Sequence, residues 1–330
     1  MPSAAGQCSL RPNPYPEMRL KPLATLLLHH PTFANHKTSA GHPERPDRYR
    51  AVEAVLGQQE FDGLVREKAE MADLDTTRYV HTDRYVDALQ DARPNEGYVY
   101  LDGDTMMEPS TWEVVLRGVG GTLQAVDKVL DGEVQNAFVA CRPPGHHAES
   151  ERAMGFCLFN NIGIGARHAQ KKHGLKRVAI VDFDVHHGNG TQEIFYSDPS
   201  VLYASTHQMP LYPGTGAARE TGVGNIFNAP LAPGDGGDKL RAAFEGKILP
   251  ALDTFKPELI IVSAGFDAHE RDPLGSLRMT AEDFAWVTRA LMKSAEKNCE
   301  GRLVSVLEGG YDLQGLADSV GAHVGELMKG

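Results

Sequence analysis

The stretch Val178-Ala179-Ile180-Val181-Asp182-Phe183-Asp184-Val185-His186-His187-Gly188-Asn189-Gly190 decides how this chain of 330 residues is read. Its first four residues are an apolar, β-branched run of strand length, and the polar residues begin where that run ends. Along an extended exit from a strand, residues two apart share a face, so Asp182, Asp184 and His186 line one side of whatever lies there. Two carboxylates and an imidazole suit a borderline divalent ion such as zinc, with bonds of about 2.0 to 2.2 Å. In isolation, the same acids also suit the cap of a following helix.

Working outward, short apolar runs alternate with longer amphipathic stretches. Strands are expected at Leu23–Leu28, Ala137–Cys141, Val178–Val181, Val201–Ala204, Leu259–Ser263 and Leu303–Leu307. Helices are expected at about Asp47–Leu56, Thr82–Asp91, Thr111–Leu130, Asn161–Lys172, Lys239–Leu249, Ala281–Lys297 and Leu313–Leu327. This alternation predicts an α/β fold in a single domain: a mostly parallel sheet of about eight strands flanked by helices. From about Ser205 to Asp238 periodicity fails, and clustered Gly and Pro predict one long connection of turns. Residues 1–20, with Pro12, Pro14 and Pro16, form an extension without an assigned function, and the domain covers residues 21–330.

The residues able to do chemistry follow the expected strands. His146 and His147 come after Ala137–Cys141, Asp267 after Leu259–Ser263, and Tyr311 after Leu303–Leu307. In open α/β sheets, ligands bind beyond the carboxyl ends of strands, so these segments are expected to converge on one site with long loops around it. Asp267 adds a third protein ligand and leaves a coordination position for water and substrate, as in a catalytic metal site. Imidazoles at His146 and His147 can accept a proton at neutral pH and return it to a departing amine. An Asp bonded to one ring and an amide such as Asn189 bonded to the other would give the two different basicities. A phenol at Tyr311 can donate to an oxygen on which charge develops.

Composition bounds the partners. Lys and Arg total 33 against 44 Asp and Glu, a net charge of −11, which argues against a general grip on nucleic acid. No apolar run reaches the length of a membrane span. Four scattered cysteines, Cys8, Cys141, Cys157 and Cys299, with no CxxC pair, predict a reducing, cytoplasmic setting.

Taken together, these motifs resemble the histone deacetylase family of the arginase and deacetylase superfamily, closest to its class II and bacterial amidohydrolase-like members. The resemblance runs from about Leu27 to Leu327. It rests on His42-Pro43-Glu44-Arg45-Pro46, Pro143-Pro144-Gly145-His146-His147, Gly155-Phe156-Cys157, Asp182 to Gln192, Pro213-Gly214-Thr215-Gly216, Ala264 to Gly275 and Glu308-Gly309-Gly310-Tyr311. It implies zinc ligands at Asp184, His186 and Asp267, and a catalytic set of His146, His147, Asp182, Asn189 and Tyr311. Gly155, Phe156, Tyr212, Leu274 and Gly309 fall on substrate-facing positions. The resemblance also implies potassium held by main-chain oxygens of Asp182, Asp184, His186 and Thr206 with the Ser205 hydroxyl, and a second potassium at Phe195, Asp198 and Val201.

The implied reaction is zinc-dependent hydrolysis of acetyl or other short acyl groups from lysine side chains of proteins or peptides. Asn189 stands where class I members carry aspartate, which makes His147 the better general base. Leu274 stands where related polyamine deacetylases carry glutamate, which weighs against an acetylated polyamine or small metabolite as the substrate without removing it. The third alternative, a module that binds acyl-lysine without turnover, would be expected to have lost a ligand or Tyr311. The two-metal ureohydrolases of the superfamily need a further carboxylate where Gly188 stands.

Overall fold

A computed structural model describes residues 24–330, so the proline-rich extension and the first residue of the earliest expected strand lie outside the described residues. Among the described residues, ten strands form: β1 (Thr25–His29), β2 (Val65–Lys68), β3 (Val99–Tyr100), β4 (Met106–Met107), β5 (Asn136–Val139), β6 (Val178–Asp182), β7 (Val201–Gln208), β8 (Ile226–Leu231), β9 (Leu259–Ala264) and β10 (Leu303–Leu307). Eight of them make one sheet in the order β2-β1-β5-β10-β9-β6-β7-β8, with every pair parallel, and β3 and β4 form a small antiparallel hairpin. The helices are α1 (Pro46–Leu56), α2 (Asp83–Asp91), α3 (Thr111–Leu130), α4 (Asn161–His173), α5 (Asn189–Phe195), α6 (Gly237–Ala243), α7 (Leu249–Phe255), α8 (Ala281–Cys299) and α9 (Leu313–Leu327).

A parallel sheet covered on both faces needs strands that are apolar on both sides. In β6, Ala179 and Val181 join one core with Val52 and Leu56 of α1, Val287 and Leu291 of α8, and Val320 and Val324 of α9. The alternate residues Val178 and Ile180 join the other, with Val126 and Val129 of α3 and Ile162 and Ala166 of α4. The expected single α/β domain is therefore observed.

Besides β3, β4 and α5, which have no expected counterpart, several elements depart from the sequence expectation. Strand β2, Val65-Arg66-Glu67-Lys68, lies at the sheet edge, mostly exposed, and carries no apolar alternation to read. The stretch from Ser205 to Asp238 is not one connection of turns: β7 runs on to Gln208, and β8 closes the other edge despite Pro230. An edge strand tolerates a proline because one of its sides needs no ladder donor. The helix expected to end at Leu249 passes through a π-helical turn at Phe244–Ile248 into α7, with Pro250 in the first turn, where its missing N–H costs little. Among the described residues, no helix is long and apolar enough to cross a membrane.

A buried ion cluster ties the start of α1 to the strand ends. Glu44 accepts from Arg142 Nε at 2.7 Å and Nη2 at 2.6 Å, and from Arg48 Nη1 at 3.2 Å. Arg48 in turn donates to the carbonyls of Glu308 and Gly310, just before Tyr311. Burial works against the Glu44 charge, but Arg142, His36 and Arg48 outweigh it and lower its pKa from 4.5 to about 2. Its ionised form thus contributes stability above the ordinary carboxyl range, and that contribution is lost as pH falls toward about 2. Glu44→Ala, which strands two guanidinium groups in the interior, is expected to destabilise the chain by about 3 to 5 kcal/mol in urea unfolding at pH 7. An unchanged midpoint would contradict this account of the cluster.

Candidate metal centre and active site

The sheet order puts β5, β10, β9 and β6 side by side, so the polar segments following these four strands meet at one edge. Asp182 closes β6, and its Oδ1 accepts the Asp184 N–H at 3.1 Å, while Asp184 Oδ1 accepts the His186 N–H at 2.9 Å. These short loops fix the exit of the chain from the strand. The Val185 N–H donates to Asp267 Oδ1 at 2.8 Å, and the Gly309 N–H to Asp184 Oδ2 at 2.9 Å, joining β6, β9 and β10 through the acids themselves.

The ligand atoms of Asp184, His186 and Asp267 lie within 4.8 Å of one another, all buried. His186 Nδ1 stands 3.1 Å from Asp184 Oδ1 and 3.2 Å from Asp267 Oδ2. Glycines make room for the carboxylates: a Cβ on Gly265 would stand 2.0 Å from Asp184 Oδ2, and one on Gly309 would stand 2.0 Å from Asp267 Oδ2. Burial and the neighbouring Asp184 raise Asp267 to about 7, while the two acids, against burial, raise His186 to about 10. Two interior carboxylates repelling each other around one imidazole form a donor set that fits a divalent cation.

The tandem histidines sit beside this trio with ring centroids 4.0 Å apart. His146 Nδ1 donates to Asp182 Oδ2 at 3.0 Å, and the Tyr203 hydroxyl donates to the same oxygen at 3.0 Å. His147 Nδ1 donates to Asn189 Oδ1 at 2.8 Å, and Asn189 is held by its own donation to Glu149 at 2.7 Å. Burial opposes charge on both rings, but Asp184 and Asp182 overcome it at His146 and raise that ring to about 10. At His147, burial acts together with His146 and His186 and pushes the pKa well below the ordinary value. The loop bearing both rings is anchored by Glu308, whose Oε2 accepts the N–H groups of Gly145 at 2.6 Å and His146 at 3.1 Å.

A cavity of about 250 Å³ leads to the site, and His147, Phe156, His186, Tyr212, Leu274 and Tyr311 line it. Phe156 stands edge-on to Tyr311 with centroids 5.8 Å apart, and Tyr212 edge-on to His147 at 5.2 Å. Gly155 (φ +56°) and Phe156 (φ +69°) are both left-handed. A Cβ on Gly155 would stand 2.4 Å from His147 Cδ2, so the glycine is required by close approach as well as by backbone conformation. The Tyr311 N–H donates to Asp272 Oδ2 at 2.6 Å, and the Arg48 guanidinium lies 4.7 Å from its ring centre. Burial keeps the Tyr311 phenol well above its ordinary pKa, so it remains a donor although Arg48 acts in the opposite sense.

The sequence reading missed several participants. Asp104 and Leu211 also line the cavity. Asp104 sits in the Gly-rich turn Asp102-Gly103-Asp104, and no spacing rule connects that turn to the sheet edge. Gly309, read as substrate-facing, packs against the acids of the metal trio. The oxygens of Phe195, Asp198 and Val201 do converge, but on Asn225 Nδ2, which donates to them at 2.8, 3.0 and 2.8 Å. These are the main-chain oxygens at which a second potassium was expected. For the first potassium, strand register sets Ser205 beside Asp182. The Ser205 hydroxyl lies 2.8 Å from His207 Nδ1, and the buried Thr206 hydroxyl has no partner.

Comparison with known proteins agrees with this geometry. The family model described as histone deacetylase domain matches residues 42–327. A probable deacetylase of Archaeoglobus fulgidus is 41% identical over 300 residues, covering 89% of this chain and 83% of that protein. The histone deacetylase-like amidohydrolase of Pseudomonas aeruginosa is 40% identical over 283 residues, covering 83% and 73%. The crystal structure of the HDA15 HD domain superposes with a TM-score of 0.88 at 36% identity, covering 93% of this chain and 88% of that one. A metal trio and a paired-histidine loop on one edge of this sheet, with matches spanning most of the chain, make the protein a metal-dependent amidohydrolase that belongs to the histone deacetylase family.

Proposed function

We propose that the chain hydrolyses acetyl and other short acyl groups from the side-chain amine of lysine in proteins or peptides. The observation that carries this reading is the cavity: Phe156 and Tyr212 wall it, and His147, His186 and Tyr311 line it too. Aromatic walls suit the apolar four-methylene stem of lysine, and the polar groups among them suit an amide. Zinc held by Asp184, His186 and Asp267 would supply Lewis-acid activation of the acyl carbonyl and of a water.

The residues of the chain supply the rest. His147, kept neutral, takes a proton from the attacking water as the new C–O bond forms, and passes it to the amine nitrogen as the C–N bond breaks. His146, kept cationic by Asp182 and Asp184, adds fixed positive charge next to the reacting carbon. Tyr311 donates to the former carbonyl oxygen while it carries negative charge. The products are a free carboxylate and the amine. One potassium, bound by main-chain oxygens of Asp182, Asp184, His186 and Thr206 and by Ser205, would brace the exit of β6. Cys141, Cys157 and Cys299 are buried free thiols, which supports a reducing, cytoplasmic setting.

A second reading has one observation in its favour. Asp104 places a carboxylate in the cavity wall, which would attract the free amines of an acetylated polyamine, whereas Leu274 offers such a chain nothing. Comparing kcat/KM for acetate release from acetyl-lysine peptides with that from acetylputrescine and acetylspermidine decides between them. A preference for the polyamines would overturn the lysine assignment.

Three outcomes test the roles. Asp184→Asn or His186→Ala should lose both bound zinc and turnover, and full zinc occupancy by elemental analysis in either variant would remove the ligand assignment. Tyr311→Phe should lower kcat on the order of a hundredfold, the equivalent of about 2.7 to 4 kcal/mol, with zinc retained. In Asn189→Asp, a carboxylate against His147 Nδ1 stabilises the protonated ring and raises its pKa. Because the base must be neutral, the acid limb of the kcat/KM profile should move to higher pH; a shift to lower pH, or none, would contradict the role of His147.

A further inference from the structure

Helices α3 and α4 pack side by side, and near their C-terminal ends a second group of metal-binding side chains comes together, separate from the trio at the sheet edge. Asp127 of α3 directs Oδ1 at two imidazoles of α4, His168 Nε2 at 2.8 Å and His173 Nε2 at 2.7 Å. These three atoms lie within 4.8 Å of one another, and His168 is only 7% exposed. We propose that Asp127, His168 and His173 form a second metal site, suited to a histidine-favouring divalent ion such as zinc, that clamps α3 to α4.

The groups behind these ligands support the assignment. Lys172 Nζ donates to Asp127 Oδ2 at 2.7 Å, which fixes the carboxylate and leaves Oδ1 directed at the rings. Asp131 Oδ1 stands 3.8 Å from His173 Nδ1, a carboxylate behind a ligating imidazole, as metal sites commonly provide. Asp127, Lys172 and His168 line a cavity of about 410 Å³, to which Glu67, Glu70 and Asp73 add negative charge along the approach of a cation. Around an ion with bonds of about 2.0 to 2.1 Å, tetrahedral ligands stand roughly 3.3 Å apart, so the side chains need to open by about half an ångström. Two imidazoles select zinc, cobalt or nickel over magnesium or calcium, which prefer oxygen.

The site is expected to be weaker than the catalytic one. Ion binding at His168 Nε2 leaves the ring hydrogen on Nδ1, and that nitrogen is buried with no partner. The cavity leaves the remaining coordination positions to water.

The test is a cobalt or zinc titration of the full chain already holding its tightly bound catalytic metal, followed calorimetrically. One additional equivalent is expected, with a rise in Tm that the same concentration of magnesium does not produce. His173→Ala and, separately, His168→Ala should each abolish that equivalent. His173→Ala should leave hydrolysis at one zinc per chain unchanged, which also verifies its fold. The proposal is overturned if the loaded, unmodified protein takes up no further equivalent, or if the further equivalent survives in either variant.

Discussion

Two carboxylates that repel each other inside a protein impose the constraint on which the rest of this structure depends. Asp184 and Asp267 are both fully enclosed, and one imidazole lies between them. Buried charges of one sign persist only where a cation or a dense set of donors offsets them. Here the main-chain N–H groups of Val185 and Gly309 supply part of that compensation, and the geometry leaves the remainder to a divalent ion. The glycines at 265 and 309, the parallel strand order and the short loops leaving β6 are all needed to hold these acids at that spacing.

Around this centre, charge is divided between two adjacent rings of the same chemical type. Asp182 and Asp184 keep His146 protonated, whereas Asn189 gives His147 a neutral partner, so burial and the cationic neighbour drive that ring toward its free-base form. Such a pair can hold fixed positive charge and exchange a proton within one small volume. Glu308 holds the loop that carries both rings, and the Glu44, Arg142 and Arg48 cluster holds the carbonyls just ahead of Tyr311. The side chains of the candidate site are therefore held by buried carboxylates and an interior ion cluster as well as by the short loops that carry them.

Much of this arrangement was legible in the chain because its signals are local. Apolar runs of strand length announce six of the strands, and the residue types that follow them announce the chemistry. What was not legible depends on contacts between distant segments. Nothing in the order of the strands along the chain says that β5, β10, β9 and β6 are neighbours in the sheet, although the site exists for that reason. Edge strands β2 and β8 bury too little, or carry too much Gly and Pro nearby, to write a period into the sequence. Asp104 reaches the cavity from a turn, and Asn225 fills the carbonyl nest from outside the segment that forms it, so motif spacing points to neither. Asp127, His168 and His173 are ordinary polar positions of two amphipathic helices until packing sets them face to face.

The central claim is that the buried trio holds the ion on which hydrolysis depends. Stripping the protein with a chelator and adding back zinc, while following acetate release from an acetyl-lysine peptide, tests it most directly. The account predicts that the stripped chain is silent and that zinc restores saturable turnover. Full turnover in the metal-free chain, or none after zinc is restored, would contradict it.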